Sequence, residues 1–183
     1  VLFGKAVPCG KLTTTFPRSV GQLPLFYNHL NTGRPDPDNR VFNRYASNYL
    51  DESNEPLYPF GYGLSYTNFS YGNLQLSSDV LSRNGELTVS VTVTNDGDFD
   101  GYEIVQMYLH DIYAEISRPV KELKGFERIF LKKGESREVK FVITEDDLRF
   151  YNSGLQYVYE PGEFDVMVGA NSRDVQTERF RAD

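Results

Sequence analysis

The chain has 183 residues, with 19 Lys and Arg against 26 Asp and Glu and a formal charge of −7. That balance argues against a nucleic-acid binder, which needs a basic stripe to displace phosphate counterions, and against a polybasic membrane-surface protein. A lone cysteine, Cys9, and two histidines, His29 and His110, argue against an intrachain disulfide, a Cys-based zinc site and His-cluster chemistry, so neither metal nor cofactor is expected.

The chain opens Val1-Leu2-Phe3-Gly4, without Met or signal-peptide features, and reads as the middle of a longer polypeptide. No apolar run approaches the roughly 20 residues that a membrane helix requires. Seven of the nine prolines (8, 17, 24, 35, 37, 56 and 59) fall in the first 59 residues. Each fixes φ and removes a backbone donor, which interrupts regular structure. One short strand is predicted at Lys11–Phe16, from β-branched Thr13, Thr14 and Thr15. Beyond Pro17 the text is loop-like, through Asn28, Asn31 and Gly33 to Pro35-Asp36-Pro37-Asp38-Asn39. Loops this long are uncommon in a self-sufficient domain, so residues 1–68 read as an arm that needs another surface.

The pattern changes at about Phe69. Leu87, Val89, Val91 and Val93 alternate with Glu86, Thr88, Ser90, Thr92 and Thr94, which predicts a strand with one apolar and one hydroxyl face. After a turn at Asn95–Asp98, strands are predicted over Glu103–His110 and Val120–Leu131, the first with Val105, Met107 and Leu109 on one face. Lys132–Glu135 turns the chain back into a strand carrying Val139, Phe141 and Ile143. Thr144-Glu145-Asp146-Asp147 has a helix-start composition, with Leu148-Arg149-Phe150 completing one turn. Tyr157–Glu160, Glu163–Gly169 and Val175–Phe180 are the remaining strands, joined by turns at Pro161-Gly162 and Asn171–Asp174. Seven or eight strands in about 115 residues, with almost no helix, predict an all-β antiparallel sandwich of immunoglobulin or fibronectin type III shape. The Cys–Trp–Cys signature of antibody domains is missing, which favours the fibronectin-like version.

Several constellations bear on chemistry. Asp96, Asp98 and Asp100, followed by Gly101, match the first half of an EF-hand loop, but Ile104 and Met107 occupy positions nine and twelve. An acidic hairpin turn is the preferred reading, with calcium the alternative. Asp51, Glu52 and Glu55 lie on a Pro-rich arm that offers no rigid frame for paired glycosidic carboxylates, and a solvated loop is preferred. Gly61-Tyr62-Gly63 lacks the Lys and helix start of a phosphate loop. A Cys9–His29 dyad has nothing to supply its geometry. His29 and Arg34, in Asn28–Arg34, could line a polar site or hold a carboxylate or sugar hydroxyl; the alternative is a loop whose side chains satisfy its own backbone. Asn68-Phe69-Ser70 has the form of a glycosylation sequon. Tyr45, Tyr49, Tyr58, Phe60, Tyr62, Tyr66 and Phe69 fall within 25 residues. Such rings could stack on sugars, but pinning of the arm to the sandwich or to another domain is the preferred role.

Longer motifs carry a family resemblance. Val1–Gly4, Gly10–Pro17, Tyr27–Pro35 and Pro56–Thr67 resemble the end of the second domain of family 3 glycoside hydrolases. Val105–Leu109, Arg118–Phe126 and Pro161–Phe164 resemble that family's C-terminal fibronectin-like domain. The resemblance implies that residues 1–68 are the tail of an α/β domain plus a linker arm, and that 69–183 form the sandwich. It implies a parent that removes terminal β-D-glucosyl, or β-xylosyl, residues from oligosaccharides. The retaining pair would be an Asp nucleophile on a missing N-terminal barrel and a Glu acid/base upstream on the α/β domain. The one Ser-Asp here, Ser78-Asp79, is followed by Val80 rather than an aromatic residue, so no catalytic residue is assigned. Those absent domains would be the chain's partners, and Asn28, His29 and Arg34 its residues nearest the substrate. The resemblance also implies a periplasmic or secreted location, which a lone cysteine permits. A stand-alone fibronectin-type carbohydrate-binding or adhesion module is the alternative.

Overall fold

The computed structural model describes residues 1–35 and 44–183. The expected loop residues Asp36–Asn39 lie outside them. Ten strands follow the arm: β1 (Phe69–Leu76), β2 (Val80–Leu81), β3 (Glu86–Asn95), β4 (Gly101–Asp111), β5 (Glu122–Leu131), β6 (Ser136–Thr144), β7 (Phe150–Tyr151), β8 (Tyr157–Val158), β9 (Gly162–Gly169) and β10 (Val175–Ala182). One four-residue helix, α1 (Glu145–Leu148), lies between β6 and β7.

The strands form a three-stranded sheet, β1-β3-β6, and a five-stranded sheet, β2-β10-β9-β4-β5, with β7 and β8 as a separate ribbon. Pairing is antiparallel except between β2 and β10. Alternation decides which face turns inward. Leu87, Val89, Val91 and Val93 of β3 are buried against Val105, Met107 and Leu109 of β4 and Phe164, Val166 and Val168 of β9. Fully burying such a side chain contributes about 1.5–3 kcal/mol, offset by the entropy of ordering the chain. Phe164 and Phe180 stack inside the sandwich at 5.6 Å. On the opposite face of β3, Thr94 sits across from Ser136 and their hydroxyls share a 2.7 Å hydrogen bond.

Asn95 closes the β3–β4 corner. Its Nδ2 donates to the carbonyls of Phe99 (2.8 Å) and Leu131 (3.1 Å), and its Oδ1 accepts from the Thr67 hydroxyl at 2.6 Å. All three bonds are needed because Asn95 is fully buried, where an unmade bond would cost about 1–3 kcal/mol.

Three local expectations need correction, and one strand was not expected. Lys11–Phe16 is not a strand; it contributes one isolated bridge, Phe16 to Tyr58. Prolines 17 and 59 and the left-handed Gly61 (φ +79°) stop a ladder from extending. The strand expected from Val120 begins at Glu122, because Pro119 is bridged to Leu30 of the arm instead. The helical turn stops at Leu148, and Phe150 pairs with Val158. β1 escapes a search for alternation because a bulge between Gly72 and Gln75, containing Asn73 at φ 53°, breaks the period.

Candidate functional site: the arm and its joint with the sandwich

The arm lies along the sandwich on contacts that are polar and aromatic. Its two passes run side by side: the Leu12 N–H donates to the Tyr62 carbonyl (2.8 Å), Gly61 N–H to the Leu12 carbonyl (2.8 Å) and Phe16 N–H to the Tyr58 carbonyl (2.9 Å). Among the described residues, Pro59 is the one apolar side chain before Leu81 that is buried. Gln22 is the arm's buried side chain of consequence; its Nε2 donates to the Ser53 carbonyl (2.8 Å) and its Oε1 accepts the Arg18 N–H (2.5 Å).

Two buried groups of the sandwich hold this arm. Gln106 of β4 donates through Nε2 to the carbonyls of Gly61 (3.2 Å) and Ala170 (2.7 Å), and its Oε1 accepts the Tyr108 hydroxyl at 2.6 Å. A Cβ at position 61 would collide with that Gln106 side chain. Burial, and then the neighbouring Tyr27, push the Tyr108 hydroxyl above its ordinary range, so it stays a neutral donor. Glu103, also buried, accepts from Lys11 Nζ (2.9 Å) and from the Tyr71 hydroxyl (2.8 Å). Tyr71 is likewise pushed up, first by burial and then by the charge of Glu103.

The aromatic cluster is spent mainly on attachment. Tyr27 stacks on Phe60 at 4.2 Å and meets Tyr108 edge-on at 5.9 Å. Tyr58 packs against Tyr62 at 5.0 Å, the Tyr49 hydroxyl donates to the Gln22 carbonyl (3.3 Å), and the Tyr66 hydroxyl to the Val1 carbonyl (3.1 Å). Tyr45 remains largely exposed.

Asn28, His29 and Arg34 are all exposed, on one loop. Much of that loop satisfies itself: Asn31 Oδ1 accepts the Gly33 N–H (3.0 Å) and Thr32 Oγ1 accepts the Arg34 N–H (3.3 Å). His29 Nδ1 lies 2.9 Å from the Leu30 carbonyl. A groove of about 660 Å³ opens beside it, and the described residues lining it include Phe26, His29, Leu30, Tyr49 and Val120. Asn28 and Arg34 are not among those lining residues.

The other candidates have local explanations. Asp98 pairs with Lys133 Nζ at 2.7 Å, and Asp100 Oδ1 accepts the Lys133 N–H at 2.8 Å. The hydrogen bond from Lys133 pulls Asp98 below the usual carboxylate range. Among the described residues no group of three metal-ligating side chains is assembled. Cys9 has Arg128 Nη2 at 3.9 Å, while His29 faces the groove. Glu52 accepts the N–H of Ser53 (2.9 Å) and lies 3.9 Å from Arg18. Ser78 Oγ accepts the Val80 N–H (3.0 Å) at the start of β2.

One cluster was not among the expected site residues. Arg118, before Pro119, has a side chain 13% exposed and lies 4.6 Å over the Phe150 ring. Its Nη2 donates to Glu122 Oε2 at 2.7 Å, and its Nε lies 3.8 Å from Asp111 Oδ2. Burial raises Asp111, against the lowering effect of Arg118. Next to it, Lys121 Nζ donates to the Ser172 carbonyl at 2.6 Å, and burial lowers its affinity for a proton. Arg118 and Glu122 are four positions apart, but Phe150 and Ser172 join the group only through the fold, so spacing alone did not mark it.

Two packed sheets define a fibronectin type III-like sandwich with an extended, ring-pinned arm laid along it. Residues 103–172 match the family model for the fibronectin type III-like domain, and residues 1–66 match that for the glycosyl hydrolase family 3 C-terminal domain. The chain belongs to glycoside hydrolase family 3 and corresponds to a C-terminal portion of its members. It is 52% identical over 180 residues to the periplasmic beta-glucosidase of Salmonella typhimurium, covering 98% of this chain and 23% of that protein. It is 46% identical over 173 residues to a beta-xylosidase of Formosa agariphila, covering 94% of this chain and 23% of that one. Among solved structures, the beta-glucosidase from Listeria innocua in complex with isofagomine superposes with a TM-score of 0.91 at 47% identity, covering 99% of this chain and 25% of that chain. The chain thus spans about a quarter of the length of the relatives it matches. Among the described residues, no helix is long and apolar enough to cross a membrane.

Proposed function

We propose that the whole protein is an exo-acting beta-glucosidase that removes terminal non-reducing β-D-glucosyl residues from oligosaccharides with retention, a β-xyloside being the nearest alternative substrate. In this reading the catalytic carboxylates belong to a barrel and an α/β domain outside residues 1–183. Residues 1–68 are the tail of that α/β domain with a linker, and 69–183 are a sandwich that buttresses both. The observation that carries the reading is the asymmetry of the arm. One side is fixed to the sandwich through Gln106, Glu103 and Tyr27, while Phe3, Val20 and Leu50 stand more than 70% exposed. Apolar side chains left out in this way fit a surface that continues into further domains. Similarity to the relatives runs through the arm as well as the sandwich, which supports this reading over a stand-alone binding module. The name of the Salmonella relative supports export to the periplasm.

Within the whole protein, the Asn28–Arg34 loop faces the substrate cleft, with Arg34 free to engage a sugar hydroxyl. Two assays test the proposal. The purified 183-residue chain is expected to release nothing from an aryl β-glucoside and to show no affinity for β-linked glucans, whereas the full-length polypeptide turns the glucoside over. Sustained hydrolysis by the short chain, freed of contaminating glycosidases, overturns the division of labour. Arg34→Ala in the full-length enzyme is expected to raise KM, and unchanged kinetics removes the loop from the site.

A further inference from the structure

We propose that Arg118 is a positioning residue that acts on the Asn28–Arg34 loop through a short strap, Pro119–Leu123. This deepens the function proposed above and rests on its placement of that loop beside the substrate.

The loop's internal bonds, Asn31 to Gly33 and Thr32 to Arg34, set its shape but not its place. Its place is set by long-range anchors. The Val120 N–H donates to the His29 carbonyl at 2.9 Å, Leu30 is bridged to Pro119, and the Leu123 N–H donates to the hydroxyl of the adjoining Tyr27 at 3.3 Å. On the other side, the Ser47 N–H donates to the Arg34 carbonyl at 2.8 Å. Three of these four anchors come from the strap.

The strap in turn is fixed from the sandwich. Pro119 locks its own φ and biases Arg118 toward an extended backbone, which leaves the Arg118 side chain to decide where the strap lies. That side chain is clamped three ways: over the Phe150 ring at 4.6 Å, to Glu122 at 2.7 Å, and beside Asp111 at 3.8 Å. A planar guanidinium can stack and fork in this way; a lysine ammonium can pair but cannot reproduce the stack. Lys121 adds a second clamp through Ser172, on the other side of Val120. The sandwich therefore does more than prop the arm. It sets the height of one loop through one side chain and about five residues of backbone.

The test uses the full-length enzyme. Arg118→Ala is expected to raise KM for an aryl β-glucoside roughly tenfold with kcat changed by less than about twofold, within the hundredfold that ångström-scale misplacement can cost. Amides 25–34 are expected to exchange hydrogen faster. Arg118→Lys should fall between that variant and the native enzyme, and it carries the test if the alanine variant does not fold. Arg137→Ala, which removes an ion pair to Glu135 at the β5–β6 turn, away from the Arg118 cluster, should change neither KM nor exchange in 25–34. If Arg34→Ala raises KM but Arg118→Ala changes neither KM nor exchange, the strap is overturned and the loop's placement stands. If Arg34→Ala has no effect, the placement of the loop fails, and exchange at 25–34 alone decides whether Arg118 holds it.

Discussion

The arm and the sandwich are held by different physics. In the sandwich, β3 and β9 turn every second side chain inward, and Leu87, Val89, Val166 and Val168 lose all contact with water. That energy is non-directional and distributed, so no single polar contact is decisive. The arm has no such stripe. It is attached at a few points, chief among them two buried polar groups of the sandwich whose partners must all be present, Gln106 and Glu103. The difference teaches that composition can foretell self-sufficiency. A proline-rich segment with isolated rings can be ordered only by borrowing a surface, and it is vulnerable wherever the loan depends on one side chain.

The largest expected effect breaks the sandwich. Phe180, 1% exposed and stacked on Phe164, fills the space between the sheets. Phe180→Ala is expected to cost about 3–5 kcal/mol, read as a lower urea midpoint for the whole module. A loss below about 1 kcal/mol would mean that this core is not close-packed.

A smaller effect should fall on the joint alone. Lys11→Met leaves the Glu103 carboxylate in its buried site with Tyr71 as its remaining partner. Stranding one half of a buried pair costs about 3–5 kcal/mol; here roughly 2–3 is expected, because the Lys11 side chain keeps 14% of its exposure. Adding Glu103→Gln should recover most of that loss, since the amide still accepts the Tyr71 hydroxyl without a charge. Trypsin should cut the arm of the single variant before the sandwich unfolds. If the double variant is no more stable than the single one, the penalty does not come from an unpaired charge.

The contrast also explains what could be read in advance. β3, β4 and β9 declare themselves through alternation, because the force that buries them has the period of the strand itself. β1 hides behind its bulge and β7, two residues long, shows no period, whereas β8, expected over Tyr157–Glu160, is found over Tyr157–Val158. The expected strand at Lys11–Phe16 fails for the converse reason. Three threonines favour extended backbone, but β propensity is realised through neighbours, and the facing Tyr58–Tyr62 segment offers only scattered bonds. The joint was illegible: Lys11 and Glu103 are separated by 92 positions, and Gly61 and Gln106 by 45. Asn28, His29 and Arg34 stood out through family likeness. The strap lies within Arg118–Phe126, which shows the same likeness, but its hold on the loop was not legible, because Arg118 acquires its meaning from Asp111, Glu122 and Phe150 together.

The smallest effect sharpens the comparison by titrating the edge of the joint. His110 of β4 lies 4.0 Å from Asp165 of β9, with Lys121 of the strap and Arg179 of β10 also acting on it. Burial is the main cause that lowers its pKa from 6.5; Asp165 opposes the shift, and the two cations reinforce it. The folded chain therefore binds fewer protons at His110 than the unfolded chain does. Stability supplied by this group is present above the ordinary value of 6.5 and is lost as pH falls through the depressed folded value. Asp111 works in the opposite sense: its raised pKa makes the folded state less stable as pH climbs out of the ordinary carboxylate range. Replacing His110 by Gln removes the first contribution and leaves the second. As pH falls below 6.5 the native protein should lose more in Tm than His110→Gln does. Parallel Tm curves for the two proteins would show that His110 is as well solvated folded as unfolded, and that the strap does not seal this side of the sheet.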